Sequence, residues 1–146
     1  MSTKERQNRY REAVRYINNA SEILRTKGQK KDKYYQDDKY VRMACATAYN
    51  GVLLASDTYL EMKGKAIVKK KGARVNVDDY RKRFTVLNKK VLDSFNTAYG
   101  ILHIEGYYEG VTNYSAIQAG IDAALDIINQ IKPAGEADLQ LNHLSA

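Results

Sequence analysis

Hydrophobic residues recur at intervals of three and four through most of the chain, and the pattern divides into four segments. Over 3–27, Tyr10, Ala13, Val14, Ile17, Ala20 and Leu24 fall on one stripe of a helix. Ser2 and Glu5 have capping-box spacing ahead of it, and Gly28 supplies a stop. Arg6, Arg9, Glu12, Arg15, Glu22 and Arg25 fall elsewhere and are expected on the solvated face. Over 37–63, the run Val41 to Ala55 is apolar nearly all round, which predicts a helix at the centre of the fold. Within it Ala44, Ala48, Gly51 and Ala55 form a strip of small residues where a second helix can approach closely.

The third segment covers 77–105. Asn76 is placed to cap it, and Tyr80, Phe84, Leu87, Val91, Phe95, Ala98 and Leu102 continue one stripe to a stop expected at Gly106. The fourth covers 115–132, with Ser115 and Gln118 at capping-box spacing. Ile117, Ile121, Ala124, Leu125, Ile128 and Ile131 make its stripe, and Lys132 and Pro133 close it. No internal repeat or strand alternation competes. The pattern therefore predicts an all-α protein: an antiparallel, up-and-down four-helix bundle forming one domain over 1–132. Residues 133–146 read as a polar tail in which Leu139, Leu141 and Leu144 dock on the bundle. Leu92, Phe95 and Tyr99 offer more apolar surface than one stripe requires, as a self-associating face would.

Composition narrows the class. The chain has 146 residues, 44% of them apolar, and a single proline. That is enough to bury a sizeable core with few helix breakers. The lone Cys45 excludes an internal disulfide and is expected to be a small buried residue. The N-terminal stretch is polar, and the longest charge-free run, Met43 to Ser56, is too short to span a bilayer. A soluble, cytoplasmic protein is expected.

Recognisable catalytic chemistry is missing. No Gly-rich phosphate loop opens a helix, and no Cys/His cluster has zinc spacing. A di-iron bundle needs Glu three positions before His, but Gly100 precedes His103 and Gln140 precedes His143. Neither a metal nor a cofactor is expected. Glu105 and Glu109 flank Gly106, in a stretch that also holds His103, Tyr107, Tyr108 and Tyr114. This stretch reads as a structured connection whose tyrosines cover the bundle end, with a ligand pocket as the alternative. The residues point to no catalytic assignment.

Charge adds a second candidate. The net charge is +7, but residues 1–100 carry 23 basic and 11 acidic side chains, net +12, whereas 101–146 carry one and six, net −5. The densest basic stretch contains Lys63, Lys65, Lys69, Lys70, Lys71 and Arg74 without an acid, and Arg81 and Arg83 follow on the third helix. Such a Gly-punctuated loop is either a solvated connector or a surface for nucleic acid or another polyanion. Tyr34 and Tyr35, beside Lys30, Lys31 and Lys33, repeat the pairing of aromatic and basic residues that serves base stacking.

The alanine-rich run Ala44 to Ala55, followed by a long helix, the Gly106-Tyr-Tyr-Glu-Gly110 stretch and a final amphipathic helix, resembles HEPN domains over residues 3–132. These are helical bundles found beside bacterial nucleotidyltransferases and in RNA-cleaving toxins. The whole is similar to an uncharacterised bacterial family of such bundles. The resemblance implies a self-associating module, a dimer, with a protein partner encoded nearby as a further expectation. Ribonuclease members carry an Arg, followed by a polar residue, a few positions ahead of a His. Here the corresponding positions hold Asn96, Thr97 and Ala98 before His103, and Glu136, Ala137 and Asp138 before His143. No catalytic residue carries over, so the resemblance implies a non-catalytic member. A divergent nuclease using other residues is the enzymatic alternative.

Overall fold

All four periodic segments fold as helix, and the third is interrupted twice. The computed structural model describes residues 1–141; His143 and Leu144 lie outside the described residues. The elements are α1 (Thr3–Lys27), β1 (Lys30–Lys31), β2 (Tyr34–Tyr35), α2 (Asp38–Met62), α3 (Val77–Leu87), α4 (Lys89–Ala98), a π-helix (Tyr99–Tyr108) and α5 (Tyr114–Asn129). The chain is mostly helical.

Helix α2 is the hub, packing on α1, α5 and the π-helix. Its small strip is buried as expected: Ala44, Ala48, Gly51 and Ala55 are all inaccessible. A Cβ on Gly51 would stand 3.1 Å from Tyr16 Cβ and 3.2 Å from the Ala13 carbonyl, so α1 approaches α2 closely at that point. Cys45 is buried on the same helix. The Ser2 hydroxyl accepts from Glu5 N–H at 3.1 Å and starts α1, while the Asp37 carboxylate accepts from Lys39 N–H at 3.2 Å and starts α2.

The predicted helix over 77–105 is corrected in two places. Asn88 leaves helical backbone (φ −165°, ψ 108°), and its side chain accepts from the N–H groups of Lys90 and Val91, capping a new helix. The break lets α3 fold onto α4, so that Phe84 packs 5.2 Å and Tyr80 5.3 Å from Phe95 between ring centroids. Phe95 is fully buried in this cluster, so the outward-facing patch expected from Leu92, Phe95 and Tyr99 does not form. The second change is the switch to π-helix at Tyr99. Gly106 is not a helix stop: it lies buried within the π-helix, where a Cβ would meet Cys45 Sγ.

Two arginines expected in solvent instead make tertiary contacts. Arg6 donates to the carbonyls of Ile131 (3.0 Å) and Lys132 (2.6 Å), beyond the end of α5. Arg9 pairs with Glu61 at 2.5 Å. The Arg6 cation satisfies orphan carbonyls and complements the negative end of the helix dipole.

The sequence pattern also missed a hairpin. β1 and β2 pair antiparallel, Lys30 with Tyr35 and Lys31 with Tyr34, around a turn in which Asp32 adopts φ 57°. The hairpin holds the 112–114 connection: Tyr35 N–H donates to Thr112 and Tyr114 N–H to Lys33, each at 2.9 Å. Asn113, not Ser115, caps α5. In the tail, Leu139 and Leu141 pack against the core as expected, and the Asn129 side chain both donates to and accepts from the Leu139 backbone. No helix among the described residues is long and apolar enough to cross a membrane.

Candidate functional site

The basic loop is anchored at its ends. Gly64 takes φ 70°, Lys65 N–H reaches back to the Leu60 carbonyl at 2.8 Å, and Arg83 donates to the Lys65 carbonyl at 3.0 Å. At the far end Asn76 and Asp79 form a reciprocal capping box that starts α3. Between the anchors, Ile67 packs against the core while Val68 is 84% exposed. Among the described residues, none of Lys63, Lys65, Lys69, Lys70, Lys71 and Arg74 forms a salt bridge.

This anchoring sets Lys69 and Arg74 along a groove of about 720 Å³. One wall is a face of α2 with Tyr49, Leu53 and Asp57 one helical turn apart. The start of α3 adds Val77 and Tyr80, and the π-helix adds Tyr99 and His103. The volume lies within the range of small-ligand sites. The two candidate sites read from the sequence thus meet here: two loop cations and His103 share one cavity.

His103 is the centre of an aromatic cluster. Its ring stacks on Tyr49 (centroids 4.6 Å, planes 24° apart) and lies 5.5 Å from Tyr99, 6.0 Å from Tyr107 and 4.9 Å from Tyr108. Burial lowers the imidazole pKa below 6.5, favouring the neutral ring at pH 7. Tyr49 is pushed up to about 12, chiefly by burial, and stays protonated. The Tyr80 hydroxyl donates to Asp57 Oδ1 at 2.7 Å. Asp57 is exposed, and partial desolvation of its carboxyl still raises its pKa; the Tyr80 hydrogen bond and Arg9 act in the opposite direction without cancelling it. Burial and the neighbouring carboxylate together push the Tyr80 phenol well above its usual range.

The remaining basic candidates spread around the groove. Lys70 and Arg83 line a smaller hollow of about 180 Å³ next to it, together with Lys69 and Arg74. Lys71 is exposed, and Lys63 lies over the Tyr59 ring at 5.5 Å. Arg81 lies over Tyr99 at 4.9 Å and donates to Asn96 Oδ1 at 2.7 Å. Arg83 is held by two backbone carbonyls, those of Lys65 and Asp79.

The 101–114 stretch begins as π-helix, and its Tyr107 and Tyr108 rings pack beside His103 while staying partly in solvent. Tyr107 is 41% and Tyr108 61% exposed. The C-terminal end of the π-helix is capped by Arg42, which donates to the Tyr107 (2.9 Å) and Tyr108 (2.7 Å) carbonyls. Gly110, at φ 69°, leaves room for that guanidinium: a Cβ there would stand 2.4 Å from it. Tyr114 lies away from His103, against Tyr35 and under Lys30. Glu105 and Glu109 do not line the groove. Among the described residues, no group of three or more His, Cys, Asp and Glu side chains is placed to hold a metal ion.

Fold and site together define a mostly helical protein with a groove that combines basic and aromatic groups. The chain belongs to the family described as "Domain of unknown function (DUF5618)", whose model matches residues 8–133. It is similar to a solved structure described as a protein of unknown function from Dyadobacter fermentans: 38% identity, TM-score 0.74, covering 90% of this chain and 96% of that chain. No curated protein matches the chain.

Proposed function

We propose that this domain is a non-catalytic binding module of HEPN-like, four-helix design, and that its groove and basic loop hold a phosphate-bearing polyanion, a single-stranded nucleic acid. The observation that carries the reading is the placement of Lys69 and Arg74, without salt-bridge partners among the described residues, in one cavity with Tyr49, Tyr99 and His103. Single-strand binders combine cations that track the backbone with aromatic groups that receive bases. The affinity comes mainly from counterion release. If about five phosphates are engaged, log affinity falls against log salt with a slope near −3.5, at roughly −0.7 per phosphate. Fluorescence anisotropy with labelled RNA and DNA measures this slope. Replacing Lys69, Lys70 and Lys71 by Gln flattens it and weakens all sequences alike. Absence of binding at low salt, or an unchanged slope in the triple variant, refutes the reading.

Self-association is a second reading, favoured by the exposed rings of Tyr34, Tyr107, Tyr108 and Tyr114 on the hairpin and the 107–114 stretch. Aromatic residues are enriched in interfaces. Sedimentation at high micromolar concentration tests it, and a 16.6 kDa monomer there removes it.

A further inference from the structure

The groove carries a negative group as well as positive ones. Asp57 is the one charged residue between Arg42 and Glu61. It lines the cavity that Lys69 and Arg74 also line. Its Oδ1 accepts a hydrogen bond from the Tyr80 hydroxyl at 2.7 Å, and among the described residues it forms no salt bridge. An ionised carboxylate only accepts hydrogen bonds, and a phenol that has donated its proton offers only lone pairs. The Asp57–Tyr80 pair is therefore an acceptor-only element with unfilled capacity.

We infer that Asp57 is a specificity-determining residue that selects single strands whose bases present an amino group, cytosine over uracil in the simplest comparison. The inference rests on the polyanion reading above. Phosphate is repelled by Asp57 and attracted by Lys69 and Arg74, so the backbone is drawn to the loop and a base edge is left to face α2. Cytosine and uracil have nearly equal size and equal charge in a strand. They differ at positions 3 and 4, where cytosine has a ring acceptor and an amino donor and uracil a ring N–H donor and a carbonyl acceptor, and carboxylates accept from the cytosine amine. The uracil ring N–H is flanked by a carbonyl on each side, so a strand that turns it toward Asp57 also brings a carbonyl against the Asp57–Tyr80 acceptors and is repelled. Sites built for a hydrogen bond reject analogues that lack it.

Anisotropy titrations with labelled oligocytidylate and oligouridylate of equal length test the inference. The native protein binds the cytosine strand about tenfold more tightly, the effect of one good base contact. In Asp57→Asn the amide oxygen still accepts from Tyr80 while the NH₂ group adds a donor, so the preference disappears or reverses. Asp57→Ala also removes it, and the salt slope stays unchanged in both variants. Equal binding of the two strands by the native protein, or a cytosine preference that persists in Asp57→Asn, overturns the role of Asp57 and leaves the polyanion reading intact. Failure of both strands to bind at low salt overturns the polyanion reading and this inference with it.

Discussion

Two glycines in the π-helix should respond to alanine with opposite signs. A Cβ on Gly106 would stand 2.3 Å from Cys45 Sγ and 2.9 Å from Cys45 Cβ, whereas a Cβ on Gly100 meets nothing within 4 Å. Neither glycine has positive φ, so neither substitution is opposed by backbone strain. Heavy atoms pack at about 3.5–4.0 Å, so a methyl group added at Gly106 must drive the π-helix and α2 apart by about 1 Å. Overpacking of this kind costs about 1–3 kcal/mol, against about 1 kcal/mol gained by replacing glycine in a helix. The crowding wins because a buried helix–helix contact, with the Cys45 Cβ also too close, cannot yield locally.

Gly106→Ala is therefore expected to lose about 1 kcal/mol net, lowering the urea midpoint by about 0.5 M at an m-value near 2 kcal/mol/M. Gly100→Ala is expected to gain up to about 1 kcal/mol. Cys45→Ala in the Gly106→Ala background should restore part of the loss, with a coupling energy of at least about 0.5 kcal/mol. Urea melts followed by far-UV circular dichroism read the native protein and each variant, with Cys45→Ala alone completing the cycle. A Gly106→Ala midpoint at or above the native value would refute the close approach and return Gly106 to the role of a permissive helix stop.

Arg42→Ala removes two hydrogen bonds to the end of the π-helix, those to the Tyr107 and Tyr108 carbonyls. It should cost about 1–2 kcal/mol and speed amide exchange at Glu109 and Val111; unchanged exchange there would count against the cap. Asp57→Asn should stabilise the ligand-free protein at pH 7, because a carboxyl whose folded pKa is raised contributes stability below its unfolded pKa and loses it as pH rises through the folded value. The advantage of the variant should shrink as pH falls through the folded pKa toward 3.8; denaturant melts across that range measure it, and an advantage independent of pH would refute the assignment.

The helices were legible because burial imposes periodicity. Ile17, Val41, Ile121 and Ile128 are all buried and all stand on predicted stripes or in the apolar run. The break at Asn88 was hidden by the same logic: Phe84, Leu87 and Val91 keep helical spacing across it, so the stripe runs in phase through a backbone that does not. Only the capping chemistry of Asn88 marks the junction, and an asparagine in a helical pattern is ambiguous until its side chain is seen to accept two N–H groups. The π-helix has no signal in apolar spacing, since Leu102 and Gly106 are separated as α-helical neighbours would be. The basic loop and His103 were both legible as candidates, but their meeting depends on the tertiary packing of α2, α3 and the π-helix. Asp57 left one trace in the sequence: the charge-free run that begins at Met43 ends beside it.

That trace bears on function. A helix at the hub of a bundle gains stability from apolar burial, and a carboxyl whose pKa is raised by desolvation reduces that gain at neutral pH. The imidazole of His103 carries a parallel penalty: burial opposes its charged form, so protonation as pH falls below 6.5 weakens the folded state. Both groups lie on the groove that also holds Lys69 and Arg74, cations without salt-bridge partners among the described residues. Asp57 is exposed and His103 half-buried, so each penalty is partial, but both fall on this groove. These departures from the most stable arrangement gather in one cavity while Ala48, Ile121 and Phe95 elsewhere in the bundle are packed without exposure. Such local conflict with stability is expected where a site is held ready for a ligand. The mixture of charge signs in the cavity argues further that the ligand presents an anion to the loop and a hydrogen-bond donor to α2.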